Sequence, residues 1–249
     1  MPDNDAAASA AAPAPARAWR VVLEKIETDL LEGRLGPGDR LPPERELSAT
    51  LGVGRSSVRE ALRVLEVMGL IRTGTGSGPT SGAIVIATPT GGMASFLRLQ
   101  VAAQSFPLED VVATRLVLEQ AVARAVAWAV AAHGDGQLAA SRDVLSAMED
   151  ADLTPAEFLA LDAQFHLTLA QASGNVVIEA MMAGLRTAIE GYVLDAAEQI
   201  TDWDATTERL RAEHRGILSA VEAGDADAAA SRVHDHITGY YTRARLARS

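Results

Sequence analysis

Apolar residues recur at helical spacing in three segments near the start of the chain. In residues 18–33, AWRVVLEKIETDLLEG, the residues Val22, Ile26 and Leu30 follow at four-residue steps, and Gly33 is a typical helix terminator. The run ERELSATL predicts a short second helix, and RSSVREALRVLEVMGL predicts a third helix after the helix-breaking GVG. Helix, short turn and helix form a helix-turn-helix, whose second helix enters the major groove of DNA.

The third predicted helix has an apolar face and a basic face. Its inward stripe consists of Val58, Ala61, Leu62 and Leu65. Arg55, Arg59 and Arg63 recur every four residues on another face. Ser56 and Ser57 lie at the N-terminal end, where hydroxyl groups can cap the helix or meet phosphate. A solvated arginine face on an ordinary amphipathic helix is the alternative, but the short helix and glycine turn beside it favour DNA binding.

Two short β-prone runs flank a loop of Gly, Ser, Thr and Pro in IRTGTGSGPTSGAIVIA. The segment GTGSG is reminiscent of a phosphate-binding loop, but such a loop is followed by a helix. Here residues 83–87 have the pattern of a strand instead. We therefore interpret the loop as the wing of a winged helix, which lies along the DNA backbone or minor groove.

The remaining residues, 89–249, have helical patterns throughout, interrupted by clusters of Pro, Gly and Asp that delimit about seven helices. No alternating strand pattern occurs there, so we predict an all-α bundle with a central cavity. The predicted fold is thus mainly α, with a winged helix-turn-helix over 17–88 and an all-α domain over 89–249. Residues 1–16 lack a basic segment and carry Asp3 and Asp5, which favours a disordered arm over a signal peptide.

The charge of the chain is unevenly distributed between these two domains. The net charge is −11, yet residues 17–88 contain ten Lys/Arg against nine Asp/Glu, whereas residues 89–249 contain twelve against twenty-two. The second domain would repel polyanions, so the domains are expected to have different partners. The absence of cysteine excludes disulfides and thiolate metal sites and fits a reducing cytoplasm. No run of about 18 apolar residues exists, so no membrane span is predicted.

Three of the five histidines fall on helical faces that point inward. Asp162 and His166 are one turn apart in LDAQFHLTLAQASGN, while His214 and His236 belong to two later helices. A lone inward histidine is more often a satisfied core residue than a ligand, but a buried charge is costly unless it is paired or metal-bound. One aspartate with three histidines suits a divalent ion, Zn²⁺ first and Ni²⁺ or Mn²⁺ as alternatives. Spacing does not distinguish His236 from His234.

Two further residues are candidates for binding a small molecule. Arg115 falls on the inward stripe of the helix LEDVVATRLVLEQAV. It either pairs with Glu119 one turn away or receives the carboxylate of a ligand, for which the guanidinium fork is well suited. Asn175 follows Gly174 and precedes VVIEAMM, so it is first of all a helix N-cap and only secondarily a pocket residue.

The segment GDRLPPERELSATLGVGRSSVREALRVLEVMGLI, with the wing after it, closely resembles the GntR family of winged-helix transcription regulators. The resemblance covers about 70 residues and implies that Arg45, Arg55 and Arg59 contact DNA, assisted by Ser56, Ser57 and the wing. The wing departs from the family's usual short GxGxFV-like ending, because the longer loop GTGSGPTSGAIV stands in its place.

The second domain is similar to the FCD ligand-binding domain found in the FadR-like branch of the same family. The stretches that carry this resemblance are EDVVATRLVLEQAVARAVA, FLALDAQFHLTLAQASGN, RAEHRGILSAVEAGDADAA and HDHI. Metal-binding members have Asp-x3-His on one helix and single histidines on two later helices. The resemblance therefore implies the metal ligands Asp162, His166, His214 and His236. It leaves His234 and His133 as surface or outer residues, and it favours Arg115 as an effector-binding residue, because family members commonly sense small organic acids.

Together these features predict a cytoplasmic, homodimeric transcription regulator that binds an inverted-repeat operator. We expect repression to be relieved by a small carboxylate effector that binds beside a divalent metal. The alternatives are a regulator for which the metal itself is the signal, a regulator of a fatty-acyl ligand, and a metal-dependent enzyme. A long acyl chain would need an apolar tunnel. The enzyme is disfavoured because no convincing general acid or base accompanies the ligand set and a DNA-binding domain would be idle.

Overall fold

The structure is a computed structural model that describes residues 15–74, 82–86 and 91–247, with the side chains of residues 18–243 within those ranges. The chain divides into two compact units between Gly92 and Met93. The described residues form ten α-helices and one two-stranded sheet, which confirms the predicted mainly α fold class. Most of the predicted arm lies outside the described residues. Its last two positions, Pro15 and Ala16, belong to the first helix, so the helical pattern begins earlier than expected.

The first unit contains three helices followed by a β-hairpin. Its elements are α1 (Pro15–Leu31), α2 (Glu44–Leu51), α3 (Arg55–Val67), β1 (Ile71–Gly74) and β2 (Gly82–Val85). The strands pair antiparallel, with Ile71 opposite Val85 and Gly74 opposite Gly82. The loop between them, which carries the predicted wing contacts, lies outside the described residues.

The helix-turn-helix arises from a tight glycine turn between α2 and α3. Gly52 has a φ of +63°, a left-handed conformation that glycine adopts without a steric penalty, and its N–H donates to the Ser48 carbonyl. Val53 is buried in the turn, and its carbonyl accepts a 2.7 Å bond from the Ser48 hydroxyl. Helix α3 ends at Val67, three residues before the predicted end, because Gly69 takes a φ of +74°. The turn therefore fixes α2 against α3, while Gly69 redirects the chain into β1.

The core of the first unit forms where α1, α3 and the hairpin meet. Val22, Val58 and Ala61 are completely buried, and Leu62 and Leu65 are almost so. These residues confirm the predicted inward stripe of α3. Since that stripe packs against α1, the opposite face of α3, with its arginines, is left exposed.

The second unit contains seven helices in its described part, the number predicted. They are α4 (Gly91–Ala102), α5 (Leu108–His133), α6 (Ala139–Met148), α7 (Pro155–Ala172), α8 (Val176–Ala197), α9 (Trp203–Glu222) and α10 (Ala226–Ala247). Helix α5 packs against α7, α8, α9 and α10 and is therefore the central helix. Among the described residues, no helix combines the length and apolar character needed to cross a membrane.

The start of α7 is determined by local signals in its sequence. Thr154 accepts a bond from the Glu157 N–H, and the Glu157 carboxylate accepts one from the Thr154 N–H, which together form a capping box with Pro155 at the first helical position. The inward face of α7 then buries Phe158 and Phe165 completely. This packing turns one side of α7 toward α9 and α10.

Candidate metal centre and DNA-binding surface

Four side chains from three helices of the second unit point to one place. Asp162 and His166 come from α7, His214 from α9 and His236 from α10. One ligand atom of each lies within 4.8 Å of the others, and we call this group the candidate metal centre. The three histidines are buried and Asp162 is half-buried. The structure thus brings together the four residues that the family resemblance implied as ligands. His234, whose side chain is 50% exposed, lies outside this group.

Each imidazole of the candidate metal centre is oriented by a contact at its Nδ1. The partners of His166, His214 and His236 are, in that order, Glu119 Oε2 at 2.6 Å, the Leu210 carbonyl at 2.7 Å and Glu213 Oε2 at 2.9 Å. Carbonyl and carboxylate oxygens only accept hydrogen bonds, so each Nδ1 is the natural position of the ring proton. In a neutral ring the Nε2 then carries a lone pair, so the four residues offer three nitrogen acceptors and a carboxylate within a small volume.

This arrangement fits a bound cation. The Nε2 atoms of His166 and His236 are 3.2 Å apart, close to the separation of about 3.3 Å between neighbouring nitrogens of a tetrahedral zinc site. His214 Nε2 lies 3.1 Å from Asp162 Oδ1 but has no hydrogen-bond partner in the described part of the chain. Buried acceptors that face one another without a proton between them are costly. A divalent ion that accepts nitrogen and oxygen ligands would remove that cost.

The electrostatics of the site favour the deprotonated forms of His236 and Asp162, whereas burial opposes protonation of His166 but Glu119 raises its pKa. Burial and the proximity of His214 together lower the pKa of His236 to about 4. Burial would raise the pKa of Asp162, but contact with His214 and the other two histidines holds it well below its usual range. A deprotonated carboxylate and neutral imidazoles are the forms that bind metal.

Arg115 forms an ion pair with Glu119 inside the second unit. Its Nε and Nη2 lie 2.8 Å and 2.7 Å from Glu119 Oε1, and its Nη1 donates to the Tyr241 hydroxyl at 3.1 Å. Burial opposes ionisation of Glu119, yet Arg115 and His166 together lower its pKa to about 2. The structural pairing weighed for Arg115 from the sequence is therefore present. Glu119 connects Arg115 to a residue of the candidate metal centre.

A cavity of about 160 Å³ adjoins the candidate metal centre between α5, α7 and α8. For comparison, a water molecule occupies about 30 Å³ in the liquid. Asp162, His166 and Arg115 line one side, and Arg186 of α8 lines another, with mainly apolar side chains between them. The cavity is therefore suited to a small molecule with a polar and an apolar part.

Arg186 is a cavity residue that the sequence reasoning missed. Its Nη2 donates to the Ala160 carbonyl at 3.0 Å, and it forms no ion pair with a carboxylate in the described part of the chain. Burial lowers its pKa. The available signal was compositional: Arg186 is the sole basic residue in Val176–Ala197, between the buried Leu185 and Ala188.

Asn175 does not line this cavity, which corrects its assignment as an effector-binding residue. Its Oδ1 accepts from the N–H groups of Val177 and Ile178, each at 3.1 Å, and the side chain is exposed. It is the N-cap of α8, because two otherwise unpaired N–H groups at the helix start take up its only carbonyl oxygen.

The predicted DNA-binding residues lie at the outer face of α2 and α3, with one exception. Arg45, Arg55, Ser56 and Arg59 are exposed, whereas Ser57 is only 8% exposed. Ser57 precedes the inward Ala61 by four residues and shares its face, and its contact with DNA stays a prediction. Of the two roles open to the Ser56 and Ser57 hydroxyls, helix capping is not the one found, because α3 starts after Gly54 without a side-chain cap.

A helix-turn-helix with a β-hairpin, joined to a helical unit with a buried Asp-His cluster, defines a class of two-domain transcription regulators. Residues 20–80 match the model for bacterial regulatory proteins of the gntR family, and residues 110–239 match the FCD domain. The chain therefore belongs to the GntR family and carries an FCD domain. It is a DNA-binding transcriptional regulator and not an enzyme.

Relatives of known sequence or structure span most of the chain. A protein of Escherichia coli (strain K12), named as the regulatory protein of the L-lactate dehydrogenase operon, is 26% identical over 228 residues, which are 92% of this chain and 86% of the relative. The HTH-type transcriptional repressor NanR of Escherichia coli (strain K12 / DH10B) is 28% identical over 234 residues, 87% of this chain and 80% of the repressor. The solved structure of Streptococcus agalactiae GntR is 25% identical, with a TM-score of 0.61, over 91% of this chain and 98% of that one.

Proposed function

We propose that this regulator is a homodimeric, metal-dependent repressor that releases its operator when a small organic acid binds in the cavity of the FCD domain. The observation that supports this function best is the convergence of three imidazole nitrogens and one carboxylate next to a cavity, which Asp162 and His166 line together with two arginines. The second unit acts as the sensor and the first as the DNA reader.

The metal is proposed to be held by Asp162, His166, His214 and His236. Zn²⁺ suits this nitrogen-rich set, and Ni²⁺ and Mn²⁺ are the alternatives. A divalent ion there would supply a Lewis acid that attracts an oxygen atom of the effector. The pairing of Arg115 and Glu119 supports the centre from outside, since Glu119 fixes the His166 ring.

The charge at the cavity favours an anionic effector only when the metal is present. Arg115 and Arg186 supply two positive charges, whereas Asp162, Glu119 and Glu190 supply three negative charges, so the metal-free site carries a net charge of about −1. A divalent ion changes this balance to about +1. We therefore propose that metal is required before the organic acid binds.

The carboxylate of the effector is proposed to meet Arg186 and the free side of Arg115. Arg186 has no carboxylate partner among the described residues, and the Nη1 of Arg115 is bound only to the neutral Tyr241 hydroxyl. A carboxylate is a stronger acceptor than a hydroxyl and would replace it. Binding at both the metal and the arginines suits 2-hydroxy, 2-keto or sugar acids. One relative is named for the L-lactate dehydrogenase operon, and L-lactate is a 2-hydroxy acid.

Operator binding is proposed to use Arg45, Arg55, Ser56 and Arg59 on an inverted repeat in the cytoplasm. One recognition helix reads only a few base pairs, so a two-fold dimer provides the second half-site. Repression is supported by two relatives that carry the name HTH-type transcriptional repressor NanR.

A thermal-shift screen of small organic acids tests this function. We expect some 2-hydroxy or 2-keto acids to raise the melting temperature of metal-loaded protein and to have no effect after EDTA treatment, because binding to the native state alone stabilises it. The same acids should release an operator duplex. If the metal raises or lowers operator affinity and no acid has any effect, the metal itself is the signal and the organic-acid proposal is wrong.

A further inference from the structure

An ion pair connects the two helices of the helix-turn-helix on their exposed side. Arg59 Nε of α3 donates to Glu44 Oε2, at the first position of α2, over 3.0 Å. The side chains are 60% and 40% exposed, and both line a groove beside β1 and β2. An ion pair this exposed contributes little to folding stability. The fold therefore does not require it.

The ion pair with Glu44 restrains the orientation of the Arg59 guanidinium group. Because Nε is bound to Glu44, the two terminal nitrogens of the guanidinium form an oriented edge that has no hydrogen-bond partner among the described residues. That edge is the one that can donate two parallel hydrogen bonds to O6 and N7 of guanine in the major groove. A fixed orientation reduces the side-chain entropy lost on binding.

The other arginines of this surface are not restrained in the same way. Arg45, Arg55 and Arg63 are exposed and have no carboxylate partner in the described part of the chain. Contacts to phosphate require charge but little orientation, whereas a bidentate contact to a base edge requires a defined geometry. The difference separates Arg59 from its neighbours.

A carboxylate at the DNA-binding surface also has an unfavourable effect on DNA affinity. Affinity for any duplex comes mainly from neutralising phosphates, and a negative charge next to Arg59 weakens that sequence-independent attraction. Glu44 thus weakens binding to every sequence, and only a correctly placed base can recover the loss through the oriented Arg59.

We propose that Glu44 is a specificity residue, which positions Arg59 for base reading and lowers affinity for non-operator DNA. This inference rests on the proposed role of Arg59 in operator binding. Glu44 itself is a positioning residue, because its effect on DNA is transmitted through Arg59.

The test compares full-length variants on two DNA probes. The first is a duplex selected by the wild-type protein from a random library, and the second is a shuffled duplex of the same composition. Glu44→Ala should bind the shuffled duplex more tightly and reduce the ratio of the two affinities by about 2- to 5-fold, because Arg59 keeps its donors and loses only the restraint of an exposed ion pair. Glu46→Ala is the matched control, because Glu46 is an exposed residue of the same first turn with the same charge. It should leave the ratio unchanged.

A double mutant separates positioning from a general charge effect. If Glu44 acts through Arg59, the affinity ratio of Glu44→Ala/Arg59→Ala equals that of Arg59→Ala alone. The inference is overturned if Glu44→Ala keeps the wild-type ratio, or if its effect persists undiminished in the absence of Arg59. A different failure concerns the proposed function: if Arg59→Ala binds the selected duplex as tightly as the wild type, Arg59 is not part of the DNA-binding surface.

Discussion

At the scale of single residues, the Nδ1 atoms of the buried histidines of the FCD domain matter as much as the Nε2 atoms, because the Nδ1 contacts orient the rings. A carboxylate, a backbone carbonyl and a second carboxylate each occupy one Nδ1, and this leaves three Nε2 atoms for a metal. Glu119 contacts two charged or ligand side chains, because one of its oxygens binds Arg115 and the other contacts His166. Replacing Glu119 should therefore weaken metal binding, although none of the four proposed ligands is changed.

Glu119→Gln is expected to weaken metal binding by about 10- to 100-fold, the usual effect of losing a residue that orients a ligand. The amide is neutral, so it neither balances Arg115 nor stabilises the His166 ring as a carboxylate does. Competition with a chromophoric chelator measures the affinity. Glu198→Gln, an exposed change of the same kind on the same unit, should bind metal like the wild type. If the two variants bind metal with equal affinity, Glu119 does not support the candidate metal centre.

Arg186→Ala is expected to retain the metal but to lose the stabilisation by the acid that gives the largest thermal shift in the wild type. Arg186 lines the cavity and contacts no residue of the candidate metal centre within hydrogen-bond distance among the described residues. Arg186→Lys should restore only part of the shift, because a lysine lacks the two-pronged donor. A full wild-type shift in Arg186→Ala would place the carboxylate elsewhere.

At the scale of elements, the helical period in the sequence specifies most of the fold, and local backbone signals set the ends. The pattern of ERELSATL coincides with α2, whereas the end of α3 was misplaced because Gly69, inside an apparently continuous pattern, adopts a left-handed conformation. Ser57 lies four residues before Ala61, so the spacing of α3, whose start at Arg55 was predicted, already places it on the inward face.

From spacing alone, without the family resemblance, the candidate site was predictable only where its residues share a helix. The four-residue spacing of Asp162 and His166 places both on one side of α7. The choice of His236 over His234 depends on how α10 packs, since the two are only two residues apart and just one of them is buried. Arg186 could not be found by spacing, because the packing of α8 on α7 brings it to the cavity.

The capping box of α7 gives a prediction at this scale. Thr154→Ala should lower the free energy of unfolding by about 0.5–2 kcal/mol, because the Glu157 N–H loses its acceptor at the helix start. Thr114→Ala, an exposed change inside α5, should be nearly neutral, since alanine is a strong helix former. Chemical denaturation of both variants measures the difference. If Thr154→Ala is as stable as Thr114→Ala, the capping box does not determine the start of α7.

At the scale of the whole molecule, charge separates the two activities. The DNA-binding segment 17–88 is close to neutral, whereas 89–249 carries ten more acidic than basic residues, twenty-two against twelve. The second unit therefore repels a polyanion, whereas the nearly neutral first unit does not. This division agrees with the separate matches of the gntR and FCD models to the two parts of the chain.

The proposed dimer gives a prediction for the intact regulator. A palindromic operator should bind at least about 100-fold more tightly than either half-site at equal salt, because a second recognition helix adds its contacts without a second loss of translational entropy. Fluorescence anisotropy with both duplexes measures the ratio. A half-site that binds as tightly as the palindrome would contradict the two-fold arrangement.

The central claim is that Asp162, His166, His214 and His236 hold a divalent metal, and metal analysis combined with thermal unfolding tests it most directly. After dialysis, the wild type should contain about one divalent ion per chain, and EDTA should lower its melting temperature. His214→Ala should contain much less metal and respond little to EDTA, whereas His234→Ala, altered at an exposed residue, should behave like the wild type. A metal-free wild type whose melting curve does not move with EDTA or with added zinc would contradict the account.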